Sequence, residues 1–186
     1  DAEITFQEII DNAPIDVVEM MRAFRSFIKS NDMMAYLTMM CIRLLELKRV
    51  LKDTGSIYLH CDPLAGHYLK ILMDTVFGKN NFRNEIVWCY SIGGKSKKAF
   101  ARKHDTIFFY SKTNKYYFDA KGCSIPRKPN THMRAGFDKN GRPYQEKTDK
   151  KSQKTYRYYL DEGKTPEDWW LIEQLNRDRA IKQRRC

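Results

Sequence analysis

Cysteines at metal or disulfide spacing are missing from this chain of 186 residues. Its five cysteines, at 41, 61, 89, 123 and 186, are scattered, odd in number and never form Cys-x-x-Cys. That excludes a zinc ribbon or a disulfide framework and predicts reduced thiols in a cytoplasmic protein. Long apolar runs are missing too. None approaches the roughly 20 residues of a membrane-spanning helix, so no membrane partner is expected. The opening Asp1-Ala2-Glu3 does not read as a signal peptide. No internal repeat occurs. Phosphate-binding loops are absent, because Gly93-Gly94 belongs to neither G-x-G-x-x-G nor G-x-x-x-x-G-K-[ST]. Acidic residues are scarce: 23 Asp and Glu stand against 34 Lys and Arg, for a formal charge of +11. Such an excess points to an acidic partner, with nucleic acid foremost.

Hydrophobic residues make up 42% and aromatics 13%, enough for one packed domain with or without an extension. Two short amphipathic stretches come first, TFQEII and, after Pro14, IDVVEMMRAFRSFI. The clearest helix follows. Asn31 or Asp32 caps it, Met33, Leu37, Met40, Leu44, Leu47 and Leu51 recur in steps of four and three, and Gly55 stops it. Ile42 and Leu45 widen its apolar face, which predicts packing on a sheet. Residues 56–60 read as a buried strand, Asp62 as an N-cap and Pro63 as a first helical residue. LAGHYLKILMDTVF gives another helix ending at Gly78, and strands are expected at 84–90 and 105–111. The order predicts an α/β domain with a mostly parallel sheet. After Phe118 apolar periodicity fades, which predicts a basic, irregular extension ordered by a partner, with RYYLDEGKTPEDWW as an acidic-aromatic patch suited to docking on a domain.

The basic loop carries the strongest signal. Between Ser91 and His104 stand Lys95, Lys97, Lys98, Arg102 and Lys103 with no acid, and from 91 to 160 there are 18 Lys or Arg against 5 Asp or Glu. Lysine and arginine release counterions from a phosphate backbone, and interleaved aromatics stack on bases. The bland alternative is a solvated basic loop. His60, Asp62 and His67 invite a metal reading, but no second pair at ligand spacing exists and an N-cap accounts for Asp62. His104-Asp105 is either an acid/base pair or merely a strand start. Cys61 has no paired base, and the methionines at 33, 34, 39 and 40 suit core packing.

The run NDMMAYLTMMCIRLLELKRVLKDTGSIYLHCDPLAGHYLKILMDTVFGKNNFRNEIVWCYSIGG, followed by KHDTIFFYSKTNKYYF, closely resembles the bacterial site-specific DNA methyltransferases of the N6-adenine/N4-cytosine group, β order of motifs. The likeness is strong over residues 17–118 and weaker through RYYLDEGKTPEDWW. It implies part of a seven-stranded Rossmann-like sheet that uses S-adenosylmethionine. Residues 56–60 become its fifth strand, 84–90 its sixth, and 105–111 an antiparallel seventh inserted between them. Ligands of such sheets lie beyond the carboxyl ends of the strands, so the resemblance puts His60, Cys61 and Asp62 on the pocket edge and the 91–104 loop near DNA.

Two family signatures are not in these residues. The catalytic tetrapeptide [DNS]-P-P-[YFW], which holds a flipped base, is matched by neither NAPI (12–15) nor CDPL (61–64). The glycine-rich F-x-G-x-G motif is also missing, and LIEQLNRDRAIKQRRC stands where it is expected. The expectation is therefore a partial methyltransferase domain (strands five to seven) over 1–118 and a DNA-contacting extension over 119–186, where Lys121, Arg127, Lys128 and Arg134 join the loop cations. No catalytic, cofactor or metal residue is assigned. S-adenosylmethionine is expected in the parent family but not on this chain alone. The partners implied are duplex DNA and, for a raw sheet edge, a second copy or a complementary chain, in a bacterial or phage cytoplasm. The reaction implied is direct attack of a flipped base's amine on the methyl group, at adenine N6 ahead of cytosine N4. The competing readings are a non-enzymatic nucleic-acid-binding remnant and a subunit of a split enzyme.

Overall fold

A computed structural model describes residues 2–91, 96–129 and 131–172. In chain order they form α1 (Ala2–Asn12), α2 (Ile15–Ile28), α3 (Asp32–Val50), β1 (Ser56–Cys61), α4 (Gly66–Phe77), β2 (Phe82–Cys89), β3 (His104–Ser111), β4 (Arg134–Phe137), β5 (Pro143–Thr148), β6 (Thr155–Tyr159) and β7 (Trp169–Leu171). Two compact units result: one holds the chain up to Tyr117 together with the part from Asp168, the other Phe118–Glu167. No described helix is long and apolar enough to cross a membrane.

In the first unit Pro14 separates α1 from α2, and its fixed φ of −53° opens the second helix. Asn31 caps α3 by accepting from the Met34 N–H at 3.0 Å. The buried stripe of α3 is Met34, Leu37, Thr38, Cys41 and Leu44. It is rotated from the expected Met33–Met40 line, and Leu47 is 47% exposed. The cause is the packing partner. α3 packs against α1, α2 and α4, and the Thr38 hydroxyl stays satisfied by donating to the Met34 carbonyl at 2.8 Å. α4 begins at Gly66, later than Pro63 suggests. Asp62 first caps a turn, its Oδ1 accepting from the Leu64 and Ala65 N–H groups at 3.0 and 2.9 Å. The helix ends at Gly78, whose φ of 89° suits glycine.

The sheet order is β1-β3-β2-β7. β3 runs antiparallel to both β1 and β2, and β7 runs parallel to β2. β1, β2 and β7 thus share a direction, as a parallel sheet requires. The expected parallel pairing is nonetheless broken, because reversed β3 lies between β1 and β2, as the resemblance implies. Phe108 and Tyr110 of β3 join Leu69, Leu72, Met73, Val76 and Phe77 of α4 in the core. By alternation Asp105, Ile107 and Phe109 take the other face, where Tyr58 stacks on Phe109 at 4.4 Å. After β3, Tyr116 meets Phe109 edge-on at 5.9 Å and carries the Arg83 guanidinium at 4.4 Å. The end of the acidic-aromatic run joins this sheet as β7, with Val87 N–H donating to the Asp168 carbonyl at 2.8 Å.

In the second unit β4, β5 and β6 form an antiparallel meander within the stretch read as irregular. Its cohesion is not written as apolar alternation. Arg142 stacks on Tyr159 and Arg157 on Tyr144, each at 4.0 Å, and the two tyrosines meet edge-on at 6.1 Å. Gln145, 1% exposed, donates through Nε2 to the Lys128 and Pro129 carbonyls, both at 2.8 Å. Gly136 lies against the Tyr144 ring, which a Cβ would meet at 2.8 Å.

Candidate functional site

The first unit gathers polar and aromatic side chains where β1 and β2 end and reversed β3 begins. Asp105 is the hub. One carboxylate oxygen pairs with His60 Nε2 at 3.0 Å, and the other accepts from the Tyr90 hydroxyl at 3.2 Å. His60 is about half exposed, whereas the Asp105 side chain is 18% exposed. The Trp88 ring lies 5.6 Å from His60 and 6.0 Å from Tyr90, and its indole N–H donates to the Ile172 carbonyl at 2.8 Å. Burial, then the Asp105 charge, raises the Tyr90 hydroxyl above the usual tyrosine range, so it remains a donor.

Cys61 is buried on the helix side and its thiol donates to the Thr106 carbonyl at 3.7 Å. Burial first, then the charges of Asp62, Asp105 and Glu85, push it up to about 12. It stays a thiol at neutral pH and is no nucleophile. Asp62 is exposed, with Oδ1 held by the turn before α4. His60, Asp62 and His67 do not converge, and among the described residues no group of three His, Cys, Asp or Glu is placed to hold a metal. His104 is exposed and on the opposite face from Asp105, so the acidic partner suggested by their adjacency goes to His60. Trp88 and Tyr90 complete a rim that sequence reasoning marked at His60 and, as a partner for His104, at Asp105. The rim offers aromatic faces beside a carboxylate-anchored imidazole, which suits stacking and hydrogen bonding to a flat polar ring.

Of the loop cations, Lys97, Lys98 and Arg102 are exposed. Lys103 donates to the Ser91 carbonyl at 3.0 Å, while Tyr90 N–H donates to the Lys103 carbonyl at 3.0 Å, which ties the loop's two ends together. Lys95 lies outside the described residues. In the second unit Lys121 and Lys128 are exposed and Arg134 faces Glu146 at 3.8 Å. Arg127 is half-buried over Tyr158 at 4.7 Å, which holds its guanidinium inside the unit.

The family model described as DNA methylase matches residues 10–185. This chain belongs to the DNA methylase family of N6/N4 type. Among curated relatives it is similar to the type II methyltransferase M.KpnI of Klebsiella pneumoniae, 42% identical over 73 residues, which are 39% of this chain and 18% of that one. Type II methyltransferase M.EcaI of Enterobacter cloacae is 38% identical over 87 residues, 46% of this chain and 19% of the relative. The probable type III restriction-modification enzyme HindVI Mod subunit of Haemophilus influenzae is 44% identical over 61 residues, 33% of this chain and 8% of the relative. The matched stretch thus spans less than a fifth of each of these three relatives. Membership gives the α/β fold its place as part of a Rossmann-like methyltransferase sheet, and S-adenosylmethionine is the methyl donor of the parent family.

Proposed function

We propose that this DNA methylase chain is part of an enzyme that methylates adenine N6 in duplex DNA, and that these 186 residues alone transfer no methyl group. The observation that carries the reading is reversed β3 seated between β1 and β2, with the Asp105 rim at their shared end, in a chain matching the family from 10 to 185. Inactivity is supported by the missing tetrapeptide and glycine-rich motif. The residues present do not suit the cofactor either. β1 passes into α4 through Asp62-Pro63-Leu64-Ala65, a turn without glycine, so no backbone is bared for close approach. The Asp62 carboxylate there is engaged by two backbone N–H groups. S-adenosylmethionine would supply the methyl group from a site that the described residues do not build. The rim would instead position the flipped base, with Trp88 and Tyr90 as stacking faces and His60, held by Asp105, as a hydrogen-bonding group.

Incubation with duplex DNA of mixed sequence and methyl-labelled S-adenosylmethionine tests the inactivity. No incorporation is expected, and robust incorporation by the chain alone overturns it. Joined to a relative's segments carrying the tetrapeptide and the glycine-rich motif, the chain should yield N6-methyladenine on nucleoside analysis. N4-methylcytosine would overturn the base assignment. Among the described strands β1 has β3 as its only neighbour, and an open strand edge favours pairing. A complementary chain or second copy would complete the sheet, and a solution mass equal to one chain would refute that.

A further inference from the structure

The turn between β5 and β6 carries a concentrated charge that the rest of its sheet lacks. Residues 147–154 read KTDKKSQK, four lysines and one acid with no apolar side chain, and all are exposed. The turn is held in one shape. Asp149 Oδ1 accepts from Lys151 N–H, Ser152 N–H and the Ser152 hydroxyl at 3.1, 2.7 and 2.8 Å, and Gln153 takes a φ of 55°. Asp149 is thereby occupied, with Lys147 adding to the field that keeps it charged. The arginines of the same sheet, by contrast, have acidic partners within the unit. Arg142 pairs with Asp161 and Glu162, while Arg134 and Arg157 share Glu146. Among the described residues Lys147, Lys150, Lys151 and Lys154 enter no ion pair within 4.0 Å.

From this contrast we infer that the β5–β6 turn is a phosphate-backbone contact for duplex DNA, with Lys147, Lys150, Lys151 and Lys154 as its cations. Neighbouring groups fit that partner. The Thr148 and Thr155 hydroxyls pair at 2.9 Å at the base of the turn, and Tyr156, 49% exposed, stands beside them. Hydroxyls and lysines are phosphate-contacting groups that position a duplex without reading its sequence. A turn with no apolar residue has nothing to insert into a bilayer. The assignment rests on the proposed DNA substrate and adds to the expected cations a set on the opposite side of β5 from the 127–129 segment along the chain.

Anisotropy titration of a labelled duplex with the full chain at several salt concentrations tests it. Wild type is compared with a quadruple variant, Lys147→Gln, Lys150→Gln, Lys151→Gln and Lys154→Gln, and with a control, Lys29→Gln, Lys52→Gln, Lys79→Gln and Lys115→Gln. The controls are exposed lysines of the first unit. Each lysine removed from contact should lower the slope of log affinity against log salt by about 0.9, so the turn variant should lose about 2 to 4 from the slope and the control none. Equal slopes in wild type and turn variant overturn the inference and leave the DNA reading standing. Equal losses in turn variant and control overturn it as well, since charge alone would then suffice. No duplex binding by wild type at low salt, or binding to anionic lipid vesicles instead, removes both.

Discussion

Replacing Tyr110 by phenylalanine removes one oxygen from a polar contact at the edge of the core, so its cost can be worked from the structure. Tyr110 is fully buried and its hydroxyl donates to Asp74 Oδ1 at 2.6 Å. Lys70 donates to Asp74 Oδ2 at 2.6 Å and lies 4.2 Å over the Phe82 ring. The variant keeps the ring and loses a hydrogen bond to a charged acceptor, worth about 1.5–3 kcal/mol. Asp74 is 31% exposed and keeps Lys70, so water can replace part of the loss, which points to the lower end, about 1.5 kcal/mol. For a chain of this size that lowers Tm by about 3–6 °C. Urea unfolding followed by tryptophan fluorescence measures it, because Trp88, Trp169 and Trp170 all lie in the unit that holds Tyr110. A loss below about 0.5 kcal/mol would refute the assignment of this bond as a core contact.

The same pair predicts a pH signature. Burial first, then the hydrogen bond and charge of Asp74, raise the Tyr110 hydroxyl above its ordinary 10.0. A raised folded value means that stability is fully present below pH 10 and declines above it, as the unfolded chain's tyrosine ionises while the folded one stays protonated. Phenylalanine cannot ionise, so the advantage of wild type over Tyr110→Phe should be constant up to pH 10 and shrink above it. An advantage that grows above that pH would contradict the geometry.

Burial pushes the Cys41 and Cys61 thiols from 9.0 up to about 12, so stability should be level below pH 9 and fall between 9 and 12. Maleimide labelling at pH 8 with peptide mapping should mark exposed Cys123 while sparing Cys41 and Cys61. Gly136→Ala puts a Cβ 2.8 Å from the Tyr144 ring and should cost about 1–3 kcal/mol in urea unfolding of the second unit, with loss of tyrosine near-ultraviolet dichroism. Asn31→Ala removes the cap on the Met34 N–H and should cost about 1 kcal/mol, with Asn31→Gly milder.

The helices and the first three strands were legible because their apolar spacing reports burial directly. α2 follows Pro14, α4 stops at Gly78, and β1, β2 and β3 fall within two residues of their expected bounds. The meander of the second unit was not, because its strands are held by Arg–Tyr stacking and by a buried glutamine. Those contacts leave a sequence that looks polar and irregular, although Arg142, Arg157, Tyr144 and Tyr159 form a continuous array. The face that α3 buries departs from the Met33–Met40 line for a related reason. Its small residues, Thr38 and Cys41, mark the buried face among helices, whereas its large Met33 and Met40 attract the eye.

The rim shows how a site can depend on register more than on residue type. Asp105 has His104 beside it in the chain, yet alternation sends the two to opposite faces. Pairing of β1 with β3 puts His60 opposite Ile107 and Cys61 opposite Thr106, which makes Asp105 the diagonal neighbour of His60. Pairing of β2 with β3 puts Trp88 directly opposite Asp105. A slip of one residue would turn Asp105 toward the helices and dissolve the cluster. What prevents the slip is apolar: it would also pull Phe108 and Tyr110, which are 2% and 0% accessible, out of their packing in the core with α4. The core packing of β3 therefore delivers Asp105 to His60, across 45 residues of sequence. No local motif around either residue encodes that meeting.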